Sequence, residues 1–153
     1  MVKCQHFQLK LITFTVLILI MDNKLERIIK NSTFTLIDGN YVYAKVSKVP
    51  TKGKHFMISK DNDEITVVTE SKNLKFLDIM ERNKDNYSLI SLNVSIPFYS
   101  VGFLAAISGQ IAKNGMNILI ISTYSKDYVM VRKEHTKKAM ATLKGLGLSK
   151  TSR

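Results

Sequence analysis

A chain of 153 residues is long enough for one domain or two small ones packed together, and 45% hydrophobic content excludes wholesale disorder. The single cysteine, Cys4, excludes an internal disulfide, a zinc cluster and a dithiol redox pair, and it fits a reducing cytoplasm. The formal charge is +11, and the segment Arg132–Arg153 holds seven basic residues against Glu134 alone. Such a cluster either meets an anionic partner or is the solvated face of a lysine-rich helix, and the second reading is preferred.

Residues 1–20 differ from the rest. Leu11–Met21 is almost unbroken apolar sequence behind Lys3 and Lys10. As a helix it would span roughly 16 Å, far short of a hydrocarbon core of about 30 Å. Its length suits a signal-peptide core, but Asp22-Asn23-Lys24 stands where small residues mark cleavage. Three readings stay open: a buried strand, a membrane anchor, or an extension ahead of a true start at Met21. The last is preferred, because Met21-Asp22-Asn23-Lys24 reads as an ordinary soluble start.

Beyond it, Lys24–Lys30 reads as a short helical lead-in. Phe34–Ile37 and Tyr41–Val46 flank Asp38-Gly39-Asn40, which predicts a hairpin. Residues 49–54 are a loop by composition. His55–Ser59 and Glu64–Thr69 predict a second hairpin around Asp61-Asn62-Asp63, and a short helix through Leu74, Leu77 and Met80 follows. The polar run Asn83–Asn86 divides the chain into units 21–86 and 87–150.

In Leu89–Ile96, apolar residues alternate with Ser91, Asn93 and Ser95, the period of a strand with one buried face, ended by Pro97. Ser100 is the expected N-cap of a helix starting at Val101, with Leu104, Ile107 and Ile111 on one side. Asn114-Gly115 closes it. Ile118–Ile121 is apolar at every position, which predicts a central strand covered on both faces. Ser125-Lys126 turns the chain into Tyr128–Val131, and Thr136–Leu146 is an amphipathic helix. The order β-α-β-β-α approaches a ferredoxin-like α+β unit whose last strand is absent or very short, with Phe34–Ile37 taking its place in the sheet.

Covalent chemistry finds no candidates. His6, His55 and His135 are far apart, and Asp61-Asn62-Asp63-Glu64 lacks the glycine and distal glutamate of a calcium loop. No phosphate-binding glycine loop or nucleophile elbow is present. Neither a catalytic residue, a metal set nor a cofactor is expected. The turn from Pro97 to Gly102 is different, because it delivers the chain into a helix start with free N–H groups. A carboxylate held there gains about 0.3–1 kcal/mol from the helix field, or ~2 kcal/mol if partly buried. Asp127 would meet a ligand amine, and Ser122 and Thr123 offer hydroxyls. The alternative is structural: Ser100 caps, Gly102 packs and Asp127 closes a turn.

Phe98-Tyr99-Ser100-Val101-Gly102-Phe103-Leu104-Ala105, followed by Ile121-Ser122-Thr123-Tyr124-Ser125-Lys126-Asp127-Tyr128-Val129-Met130-Val131, resembles the ACT domain. More narrowly, it is similar to the stand-alone ACT proteins related to the eukaryotic cytosolic arginine sensor, and Asp63-Glu64-Ile65-Thr66-Val67-Val68 extends the likeness upstream. Lys126 departs from the pattern's threonine and Tyr87 lies near its tryptophan. The resemblance covers about Phe34 to Gly147. It implies two ferredoxin-like βαββαβ ACT units in tandem, no catalysis, and a small ligand, often an amino acid, held between units or subunits. It places Ser100, Val101 and Gly102 on the carboxylate side, Ile121, Ser122, Thr123 and Asp127 on the opposing wall, and Glu64 on the N-terminal unit. The expectation is a cytoplasmic regulatory protein, a homodimer or bound to a partner protein, contacting neither nucleic acid nor membrane unless residues 1–20 act as an anchor. A basic nucleic-acid-binding module and an enzyme accessory subunit are the alternatives.

Overall fold

The computed structural model describes residues 23–96 and 100–151. Expectations for residues 1–20, Met21 and the Pro97-Phe98-Tyr99 turn fall outside them. Three helices, α1 (23–31), α2 (Phe103–Lys113) and α3 (Thr136–Leu146), accompany eight strands. These are β1 (Thr33–Val46), β2 (His55–Lys60), β3 (Ile65–Glu70), β4 (Ile79–Arg82), β5 (Tyr87–Asn93), β6 (Leu119–Ser122), β7 (Asp127–Arg132) and β8 (Ser149–Lys150).

The strands form one mixed sheet in the order β2-β3-β1-β5-β7-β6, with β4 and β8 also paired to β1. The fold is α+β and ferredoxin-like. The unit β5-α2-β6-β7-α3-β8 has one insertion: the first half of β1 lies between β5 and the two-residue β8. Thr33–Ile37 pairs antiparallel with Asn93–Leu89, while Thr33 and Phe34 pair in parallel with Ser149 and Lys150.

Several expectations are corrected. Asp38-Gly39-Asn40 does not turn a hairpin; β1 runs straight through it for 14 residues, with a register shift between Ile37 and Tyr41. The two halves of β1 are drawn to different partners, β8 and most of β5 on one side of the irregularity, β3 and β4 on the other, where β5 keeps only Tyr41–Tyr87. The expected helix through Leu74 and Met80 is a 3₁₀ turn, Ser71–Phe76, followed by β4, because Ala44–Val46 offers backbone partners to Ile79–Arg82. Strand β5 is buried on both faces rather than one, and β6 is an edge strand rather than a central one, with Ile120 left 42% exposed.

The faces of the sheet are covered differently. On one, Phe34, Ile90, Leu92, Val129 and Val131 pack against Ile28 and Ile29 of α1, Phe103, Ile107 and Ile111 of α2, and Ala139 and Leu143 of α3. On the other, Ile37, Tyr41, Leu89, Ile121 and Met130 meet Phe56 and Met57 of β2. Phe56 and Tyr128 make an edge-on ring contact with centroids 4.8 Å apart, although β2 and β7 are four strand steps apart in the sheet. A flat sheet would separate them by about 19 Å. The sheet therefore curls back so that the β2–β3 hairpin roofs the face the helices leave open.

Replacing Phe56 by Ala removes that ring from between Tyr41 and Tyr128. It is expected to cost about 1–3 kcal/mol in urea unfolding and to speed amide exchange in β2 and β3 more than in β5. At the hairpin tip, Asp61 Oδ1 accepts the N–H groups of Asp63 and Glu64, both at 2.8 Å. These bonds hold its pKa below the ordinary carboxylate value, Asp63 contributing most. A lowered folded pKa places the stabilisation above the unfolded value and loses it as pH falls through the folded one. Acid titration by NMR should therefore move the Asp63 and Glu64 amide shifts at a pH below the ordinary aspartate range.

Candidate functional site

The site begins where β5 hands the chain to α2. The Ser100 hydroxyl donates to the Ile96 carbonyl, so it does not cap the helix as expected. The helix starts at Phe103 rather than Val101. Gly102 occupies the N-cap position in the left-handed region, φ +82°, without a side-chain cap. Phe103 N–H bonds the Ser100 carbonyl at 3.1 Å and Ala106 N–H the Gly102 carbonyl at 2.9 Å. Between them, the N–H groups of Leu104 and Ala105 have no acceptor among the described residues.

The facing wall is the β6–β7 hairpin. Ser122 and Asp127 are its last paired residues, and the Ser122 hydroxyl donates to Asp127 Oδ1 at 2.6 Å. Thr123 bonds the Lys126 carbonyl through its N–H at 2.8 Å and its hydroxyl at 3.0 Å. These bonds present Asp127 and the loop tip towards α2. Lys126 makes no ion pair with Asp127 or any other described carboxylate.

The two walls enclose a cleft of about 440 Å³. This lies in the ordinary range for small-molecule sites, roughly 300–1,000 Å³. Ser100, Gly102, Ser122, Thr123 and Asp127, named from the sequence, all line it. Three others do not. Val101 points outward at 75% exposure. Ile121 alternates to the opposite face and is buried with Leu89 and Met130. Glu64 lies on the β2–β3 hairpin, paired to Lys45 at 3.3 Å. Sequence reasoning missed Val94, Phe103, Leu104 and Ala105 as wall residues. The signal was Gly102: a left-handed glycine shifts the helix start and its free amides by two residues. Among the described residues no cluster of His, Cys, Asp and Glu has the spacing to hold a metal.

A family model described as the ACT domain matches residues 83–145, the segment carrying both walls of the cleft. Among curated proteins no match is found. Solved structures share the fold. A Vibrio cholerae protein of unknown function, described as a possible transport protein, superposes with a TM-score of 0.69 at 23% identity, over 83% of this chain and 98% of that one. The regulatory subunit of Thermus thermophilus aspartate kinase, in its ligand-free form, gives 0.52 at 12% identity, over 75% and 95%. Clostridium acetobutylicum aspartate kinase, described as an allosteric enzyme, gives 0.58 at 14% identity, over 75% of this chain but 34% of that one. The α+β, ferredoxin-like arrangement is thus shared with these structures, and the segment matched by the ACT model carries its cleft.

A Cβ at Gly102 would stand 3.3 Å from Leu25 Cδ2 of α1 on a backbone that valine resists. Gly102→Val is expected to lower unfolding free energy by about 1–3 kcal/mol, and Gly102→Asn by less, since Asn tolerates positive φ. Urea unfolding of both variants checks the order.

Proposed function

We propose that the protein is a non-catalytic regulatory module that binds a free amino acid in the α2/β6–β7 cleft. The observation that carries this is the pairing of walls: unclaimed amides of Leu104 and Ala105 on one side, the Ser122-held carboxylate of Asp127 on the other. An α-carboxylate is stabilised by the first set and an α-ammonium by the second, which is the charge separation of an amino acid. Lys126 and the apolar Val94 and Phe103 are left to meet the side chain. Occupancy acts by favouring one arrangement of the module, read out through a second copy or a partner protein in the cytoplasm. The motif likeness to the cytosolic arginine sensor makes arginine the first ligand to try, and the tandem-unit reading assigns residues 21–86 to an N-terminal ACT-like unit. An accessory subunit of an enzyme is one form such a module takes.

The nucleic-acid reading is weaker. RNA-recognition domains of this layout stack bases on an open sheet face. Here that face is roofed by Phe56 and Met57 of the β2–β3 hairpin. Lys113, Lys137, Lys138 and Lys144 make the helical layer basic without supplying a stacking platform.

In a thermal-shift screen of the twenty amino acids, at least one is expected to stabilise the protein, by about 2.7 kcal/mol at a hundredfold excess over its dissociation constant. Asp127→Ala and Gly102→Val should each abolish the shift while remaining folded. A flat screen, or a shift unchanged in Asp127→Ala, removes the amino-acid site.

A further inference from the structure

The loop joining β1 to β2 builds a second concavity, apart from the α2 cleft, against the 3₁₀ turn. It encloses about 350 Å³ between Lys48, Thr51, Lys52, Lys75, Phe76 and Asp78. Its charge is unbalanced. Asp78, the acidic residue in its wall, is taken by Lys48 at 2.7 Å. Lys52 and Lys75 have no carboxylate partner among the described residues. The Lys75 ammonium stands 5.2 Å from the centroid of the Phe76 ring, and that ring remains 40% exposed.

The backbone around this concavity is held in place. Ser47 N–H bonds the Asp78 carbonyl at 3.0 Å, and the Asn73 amide bonds the Lys54 carbonyl at 2.6 Å. His55 Nε2 meets the Lys52 carbonyl at 2.8 Å. Gly53 lies so close to Phe76 that an added Cβ would stand 2.8 Å from its Cδ2. Lys52 is thus displayed from a braced loop and Lys75 from the 3₁₀ turn, lining the same pocket as the Phe76 ring. Two uncompensated ammonium groups call for a multiply charged anion, and a half-exposed aromatic face beside them calls for a flat ring.

We propose that this concavity binds a nucleoside polyphosphate, its phosphates between Lys52 and Lys75 and its base against Phe76. Calorimetric titration of the full chain with ATP, inorganic pyrophosphate and adenosine tests it. ATP is expected to bind tightest, pyrophosphate less tightly and adenosine weakest. The double variant Lys52→Gln/Lys75→Gln should weaken ATP about tenfold, and Lys137→Gln/Lys138→Gln, which removes the same charge from α3, should change it by less than about twofold. Phe76→Ala should weaken ATP and leave pyrophosphate unchanged, with urea unfolding confirming that the variant is folded. Absence of ATP binding to the unaltered protein overturns the proposal. Equal weakening by the two double-lysine variants overturns it as well, since the contact would then belong to the basic surface at large.

Discussion

Fourteen residues of extended backbone, Thr33–Val46, hold this molecule together. Through their main-chain groups they pair with β3, β4, β5 and β8. Buried peptide groups must find partners, so each half of β1 commits a different part of the chain to the same sheet. The first half completes the ferredoxin-like unit in which β5, β7 and β6 lie side by side. The second half carries the β2–β3 hairpin. No linker separates the two halves, since the connection is itself a buried strand with Phe34, Val42 and Ala44 at 0–1% exposure.

That arrangement explains the two-sided packing. Helices cover one face, and the hairpin curls over the other until Phe56 meets Tyr128. Strand β5 is consequently buried on both sides, and its serines survive there because they are bonded: Ser88 to Thr136 at 2.6 Å and Ser91 to Asn93 at 3.2 Å. Buried hydroxyls without such partners would each cost on the order of 1–3 kcal/mol. The edge strand β6 and the start of α2 lie at the margin of this packed region, where polar groups reach solvent and a cleft is retained.

The Leu104 and Ala105 amides stay unpaired at that margin for a structural reason. A helix leaves its first amides unpaired unless a side chain caps them. In α2 the available hydroxyl, Ser100, is turned back to Ile96, and Gly102 has none to offer. The β6–β7 turn meanwhile consumes its own donors internally, Ser122 on Asp127 and Thr123 on Lys126, so that the hairpin is a stiff wall. Charge is distributed by the same logic. Glu64, Asp78 and Asp85 are engaged by Lys45, Lys48 and Arg132, and lysines left without a carboxylate among the described residues include those of α3 and Lys52 and Lys75 around the β1–β2 loop.

Local chemistry sufficed for much of this. The β2–β3 hairpin, the bodies of α2 and α3 and the β6–β7 turn were legible because short-range rules govern them: helical spacing, alternation, turn residues. Ser100, Gly102, Ser122, Thr123 and Asp127 were placed on the cleft wall, though Ser100 not as the cap. Among partners distant in sequence, the place of Phe34–Ile37 beside β5 and β8 was foreseen, but most of the other pairings were not. Asp38-Gly39-Asn40 has turn chemistry, yet backbone bonds on both sides of it keep β1 extended. Ile118–Ile121 is apolar enough for a central strand, yet β7 takes that place. Ile121 belongs to the right segment and the wrong face, a distinction of one residue in register. The sequence by itself determined most of the helix and strand segments, Leu74–Met80 and Asp38–Asn40 excepted, and which residues bear the charge, since these follow from neighbours a few positions away. Only the tertiary structure decided the full strand order, which face each side chain joins and which amides stay free, because those depend on backbone hydrogen bonds between residues up to a hundred or more positions apart, such as Phe34 and Thr151.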